Sequence, residues 1–259
     1  MLVTKPKKHL GQHFLTDHSV CQQMIDAAAL CPSDLCLEIG PGRGALTQYL
    51  LPACKQLTAI EIDPDCTRYL EQQFPTLKLV KADVLSQPLN NWINQPVRLF
   101  SNLPYHCAVP IILHVARTLP NWIDGYVMVQ KEMADRMLAN PGSKTYGRWS
   151  VLIQALCQVE KIIDVGPGAF HPPPKVWSTV LTLTPKKPLI NLRMQNALEA
   201  ITQIAFSQRR KCLKNTLGKA YPSAPFEELS IDLSLRPEQI SVKRFLDLTH
   251  WQLTSASCI

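Results

Sequence analysis

The chain has 259 residues, 46% of them hydrophobic, and a formal charge of +7 at neutral pH. That hydrophobic share supports an ordinary buried core and argues against disorder, and no apolar run reaches the ~20 residues of a membrane-spanning helix. Nine cysteines and seven histidines lack Cys-x-x-Cys or His-Glu-x-x-His spacing, so neither a secreted disulfide scaffold nor a metal site is expected.

Met1 to Leu10 is basic through Lys5, Lys7 and Lys8, without the apolar core of a signal peptide, so a soluble cytoplasmic protein is expected. From about residue 34 to 130 short apolar runs alternate with amphipathic stretches, the pattern of repeated β-α units. Strands are expected over Leu35 to Ile39, Leu57 to Ile62, Leu77 to Val80, Val97 to Phe100 and Ile123 to Val129. Helices are expected over Ala45 to Ala53, Pro64 to Phe74, Val109 to Thr118 and Lys131 to Ala139, with Asp63 capping the helix that Pro64 starts. Two later strands, Val151 to Glu160 and Val176 to Thr184, would finish the sheet as an antiparallel pair.

Pro185-Lys186-Lys187-Pro188 reads as a linker, because two prolines around charges cannot continue a strand. Beyond it the periodicity is helical over Asn191 to Gly218, then in short pieces at Phe226 to Leu229, Pro237 to Ile240 and Val242 to Ser255. The expected division is an α/β domain over residues 1–185 and a helical domain over 186–259. Arg209, Arg210, Lys211, Lys214 and Lys219 concentrate positive charge in that second part, away from the N-terminal lysines. Two such patches suit a polyanionic partner better than an evenly solvated surface.

The chemistry gathers at the strand ends. Between the first strand and first helix stands Glu38-Ile39-Gly40-Pro41-Gly42-Arg43-Gly44-Ala45. Glycines there let the backbone turn tightly and let a ligand approach the main chain beside a helix N-terminus. Gly40, Gly42 and Ala45 also satisfy the dinucleotide fingerprint, so the loop alone does not choose a cofactor. Glu61, ending the second strand, fits a ribose diol in either case. Asp83, after the third strand, can accept a hydrogen bond from an adenine amino group. Asn102-Leu103-Pro104-Tyr105 follows the fourth strand, where open α/β sheets bind ligands. The Asn102 oxygen and a neighbouring backbone carbonyl can accept both N–H bonds of an amino group, and Tyr105 can stack on the attached ring.

With these residues in series the chain resembles the S-adenosylmethionine-dependent methyltransferases, and more closely the ribosomal RNA adenine dimethyltransferases. The likeness runs nearly the whole length. Gly11-Gln12-His13-Phe14-Leu15 resembles that family's N-terminal signature, Glu38 to Gly42 its glycine loop, Ala59 to Asp63 its second-strand end, and Asn102 to Tyr105 its catalytic motif. Tyr146-Gly147-Arg148 and Gly168 to Ser178 resemble two later blocks. Phe206-Ser207-Gln208-Arg209-Arg210-Lys211 is similar to the helical-domain signature of the bacterial small-subunit (16S) members. His13 and His106 depart from the asparagines common at those positions.

The resemblance implies a Rossmann-like S-adenosylmethionine-dependent methyltransferase domain with a small C-terminal helical domain. It places the cofactor on His13, Leu15, Gly40, Glu61, Asp83 and Asn102. Catalysis falls to Asn102, Leu103, Pro104 and Tyr105, with Phe170 holding the second face of the target adenine. Phosphate contacts fall to Arg209, Arg210, Lys211 and Lys214. The implied reaction is N6,N6-dimethylation of two adjacent adenosines in a hairpin loop near the 3′ end of 16S ribosomal RNA. The partner is the 30S subunit or its precursor, in ribosome biogenesis. A monomer suffices, and neither metal nor membrane is required. The nearest alternative is dimethylation of 23S ribosomal RNA, as in antibiotic-resistance relatives.

Overall fold

The computed structural model describes residues 6–7, 10–105, 107–119, 121–187, 189–208 and 210–255. In chain order, a two-residue strand β1 (Phe14–Leu15) precedes helix α1 (His18–Ala28), whose N-terminus Asp17 caps by accepting from the Ser19 N–H. Then come β2 (Leu35–Ile39), α2 (Thr47–Ala53), β3 (Gln56–Glu61), α3 (Pro64–Gln73), β4 (Lys78–Lys81), β5 (Arg98–Asn102), α4 (Ala108–Thr118), β6 (Asp124–Gln130) and α5 (Lys131–Leu138). Asp63 caps α3 through the Asp65 N–H, and Pro64 occupies the first turn, where its missing N–H costs nothing. The chain continues through α6 (Arg148–Leu156), β7 (Cys157–Val165), β8 (Phe170–His171), β9 (Ser178–Pro185), α7 (Leu192–Phe206), α8 (Leu217–Ala220) and α9 (Val242–Ser255).

The main sheet runs β4-β3-β2-β5-β6-β9-β7. Its five early strands are parallel, and β9 lies antiparallel to β6. The central strands are buried along most of their length, as expected when helices cover both faces; Leu37, Leu99 and Val127 are inaccessible. After β2 the chain moves outward to β3 and β4, then returns to the other side of β2 to lay down β5 and β6. The order therefore switches between β2 and β5, and such a point opens a crevice at the strands' carboxyl ends. Here the β2–β5 register stops at Glu38↔Phe100, while the β5–β6 register continues to Asn102↔Met128. The Ser101 hydroxyl donates to the Ile39 carbonyl at 2.5 Å, satisfying a group that the parting strands would otherwise orphan. At the opposite end of β5, the Arg98 guanidinium joins Asp34, Asp124, the Ala28 carbonyl and the Tyr126 hydroxyl.

Two compact units emerge, residues 1–134 with 160–185 and residues 135–159 with 186–259. The second differs from a division at residue 185 alone by including 135–159. In it α7 packs on α9, with α6 against both. The buried Tyr146 hydroxyl donates to the Ile240 carbonyl at 3.0 Å, and Gln154 donates to the Met137 and Ala139 carbonyls. The first of these bonds ties 135–159 to the rest of its unit, and those of Gln154 hold the segment together.

Two secondary-structure expectations need correction. Val151 to Leu156 is helical, and only from Cys157 does the chain become strand. A short apolar run looks the same whether it is a buried helix or a buried strand, and here burial on nearly every side hides the helical period. The helix expected over Asn191 to Gly218 ends at Phe206, and the chain resumes helical turns only at Leu213.

Candidate functional site

A cavity of about 230 Å³ opens where β2 and β5 part. Its floor is the loop after β2. Gly40 takes φ +68°, in the left-handed region, and nothing lies within 4 Å of where a Cβ would stand, because that space is the cavity itself. A side chain there would be strained and would intrude on any ligand. Gly42 also has positive φ, and a Cβ on it would press to 3.1 Å of the Phe14 ring. The Gly42 N–H donates to Glu61 Oε2 at 3.0 Å, and the Asp63 N–H donates to Oε1 at 2.9 Å. Each Glu61 oxygen is thus fixed by one backbone donor and keeps lone-pair capacity for a hydroxyl, as a ribose diol requires. Burial raises the Glu61 carboxyl above its ordinary range, and those backbone donors oppose the rise.

Asp83 stands on the exposed lip after β4, with Oδ1 accepting the Leu85 N–H at 2.9 Å. Its Oδ2 takes no donor among the described residues and is free for an amino group. Beside it, Ile62 and Leu85 line the cavity while 50% and 40% exposed. Apolar side chains kept open to solvent at a pocket edge suit a flat purine. Nothing in the sequence marks them, since exposure leaves no trace in a hydrophobic residue that stands just after an acid.

Asn102 ends β5 on the opposite wall. Its Nδ2 donates to the His13 carbonyl at 3.1 Å, which orients the amide and leaves Oδ1 as an acceptor with no partner among the described residues. The Leu103 N–H continues the ladder to the Met128 carbonyl at 3.0 Å, and its side chain is buried, so the turn that follows is anchored at its base. Tyr105 is held by its hydroxyl at 2.8 Å from Ser178 Oγ and by the His13 ring, stacked at 5.8 Å between centroids. The His13 Nδ1 lies 2.8 Å from the Pro172 carbonyl. A carbonyl only accepts, so Nδ1 carries the hydrogen and a neutral ring keeps Nε2 as an acceptor.

The segment from Leu10 to Leu15 completes the cavity wall. Lys7 pairs with Asp63 and Asp65, and Gln12 donates to Asp63 Oδ2 at 2.7 Å. Deeper in, Glu38 is 2% exposed and accepts the Thr47 hydroxyl at 2.7 Å. Burial, reinforced by the nearby Glu61 charge and only partly offset by Thr47, pushes its carboxyl up to about 8.

His13, Leu15, Gly40, Glu61, Asp83, Asn102, Leu103, Pro104 and Tyr105 all line this one cavity. Phe170 does not. It pairs with Leu15 across the β1–β8 ribbon, is 3% exposed, and packs in the core with Val20, Met24 and Phe100. The ring expected to face a target base thus stands behind the cavity wall that Leu15 forms, packed among core side chains. In the second unit Arg210, Lys211 and Lys214 are exposed, close together in sequence after α7. Arg209 and His106 lie outside the described residues. Among the described residues no group of histidines, cysteines and carboxylates is arranged to hold a metal ion. Among the described residues no helix is long and apolar enough to cross a membrane.

A glycine cradle that a Cβ would fill, a fixed carboxylate for a diol and a free carboxylate oxygen for an adenine amine fit an adenosyl group. With the strand order, they define an S-adenosylmethionine-dependent methyltransferase. Residues 3–252 match the family described as ribosomal RNA adenine dimethylase. Similar relatives include the ribosomal RNA small subunit methyltransferase A of Xylella fastidiosa, 41% identical with 95% of this chain and 96% of that one covered. The protein of the same name from Leptothrix cholodnii is 39% identical, with 94% and 91% covered. A dimethyladenosine transferase from Plasmodium falciparum has a similar solved structure, at a TM-score of 0.76 and 27% identity over 94% of this chain and 98% of that one. The chain belongs to the ribosomal RNA adenine dimethylase family.

Proposed function

We propose that this protein dimethylates N6 of two adjacent adenosines in a hairpin loop near the 3′ end of 16S ribosomal RNA. The substrate is the 30S subunit or its precursor, in the cytoplasm, and the enzyme works as a monomer. The observation that carries the reading is Asn102, whose Nδ2 is tied to the His13 carbonyl and whose Oδ1 is left open at the cavity wall beside Tyr105. The small-subunit names of the similar bacterial proteins support the choice of 16S over 23S RNA.

Bound S-adenosylmethionine supplies an electrophilic methyl group on a sulfonium. Gly40 leaves room for it, Glu61 receives the ribose hydroxyls, and Asp83 with Ile62 and Leu85 receives the adenine. An adenine amine is a poor nucleophile because its lone pair is delocalised into the ring. Asn102 Oδ1 and the Leu103 carbonyl accept its two N–H bonds, turning the lone pair toward the methyl and favouring the positive charge that develops on nitrogen. Holding the amine in line provides much of the remaining acceleration. Tyr105, fixed at one edge by Ser178 and on one face by His13, stacks its other face on the flipped base. No side chain has to remove a proton before attack, because the ammonium product loses its proton to water. Arg209, Arg210, Lys211 and Lys214 grip phosphates of the substrate, a contact that weakens as salt rises. Labelled methyl transfer to 30S particles and to 23S RNA tests the assignment. Incorporation into 30S is expected; incorporation only into 23S RNA would defeat it.

A further inference from the structure

Of the five tryptophans, all among the described residues, Trp177 alone is exposed, at 54%. It stands directly before Ser178, whose hydroxyl holds Tyr105. Its carbonyl accepts the Lys131 N–H at 2.9 Å, so the main chain is fixed at the end of β6. Ser178 is paired with Gln130, two residues beyond the level of Asn102↔Met128, on the rim that carries the catalytic turn. From β5 across β6 to β9 is two strand spacings, about 10 Å. The indole also has a seat. A Cβ on Gly166 would lie 3.7 Å from its benzo ring, so the indole rests beside glycine backbone while about half of the residue stays open to solvent. Lys175, exposed two residues earlier, brings a positive charge to the same segment.

We infer that Trp177 is a base-stacking subsite for the unpaired nucleotide beside the target adenosine. Turning an adenosine out of its stack strips its neighbour of a stacking partner, and unpaired RNA bases are commonly received on exposed aromatic rings next to basic side chains. A flat ring seated beside glycine backbone and half exposed meets that need, and Lys175 contacts the adjoining phosphate. This rests on the reading that the substrate is an adenine in RNA.

Trp177→Ala and Trp177→Phe test it, each assayed for methyl transfer to 30S particles and for binding of a short oligoadenylate. Trp177→Ala is expected to raise KM for 30S particles and weaken oligoadenylate binding, each roughly 5- to 100-fold, with kcat and cofactor affinity unchanged. Trp177→Phe is expected to recover most of the loss, because a smaller ring still stacks. Unchanged KM and oligoadenylate affinity in Trp177→Ala, or equal recovery by Trp177→Leu, would overturn the subsite. If the wild-type enzyme leaves 30S particles unmethylated while oligoadenylate binding still depends on Trp177, the substrate reading falls and the subsite stands.

Discussion

Glu38 shows how one residue links the site to stability. Its carboxyl is buried and held near pH 8, against an ordinary value of 4.5. The folded protein therefore keeps a proton that the unfolded chain releases between those values. The stability this proton confers is fully present below pH 4.5 and is lost as pH rises toward 8, by up to about 1.4 kcal/mol per pH unit. Glu38→Gln imitates the protonated acid and can still accept from Thr47, so it removes this slope. Chemical denaturation at pH 5 and pH 8 is expected to show the wild type losing more stability than Glu38→Gln; parallel losses would contradict the assignment. At this scale Glu61, Asp83 and Asn102 were legible in the sequence, because each polar residue closes an apolar run and so marks a strand's carboxyl end. Ile62 and Leu85 were not, since their part depends on being left uncovered. The stacking of His13 on Tyr105 joins residues far apart in the chain and has no local signature.

Among the elements, the β1–β8 ribbon does most to shape the site from a distance. It pairs Leu15 with Phe170 and Phe14 with His171, bringing the N-terminal segment across the cavity. A phenylalanine before a proline run carries no sign of whether it faces a ligand or a core. That is decided by two residues contributed by the opposite end of the unit. With Phe170 in the core, Phe170→Ala is expected to cost about 3–5 kcal/mol of unfolding free energy, read from denaturant melts. A variant of wild-type stability with lost RNA methylation would instead mean that the ring serves the substrate. The parallel strands and their helices were legible because period and punctuation agree along β2 to β6. Helix α6 was misread because burial on nearly every side erases the period that separates helix from strand.

For the whole molecule, the order of the sheet makes the crevice, and the order follows from where the chain crosses over. Repeated β-α units implied the doubly wound arrangement, but the assignment of 135–159 to the second unit depends on tertiary bonds such as Tyr146 to Ile240 and Gly142 to Glu238. The consequence is a division of labour within the first unit. Glu61, Asp83 and the glycine loop line one wall and the amide at the end of β5 the other, so the proposed function gives the first wall to the cofactor and the second to the incoming amine. Substituting that amide separates the two. Asn102→Ala, assayed for methyl transfer to 30S particles and by calorimetry with S-adenosylmethionine, is expected to lose turnover by at least about 100-fold while cofactor affinity stays nearly unchanged. Turnover that survives, or that falls only in proportion to lost cofactor binding, would contradict the account.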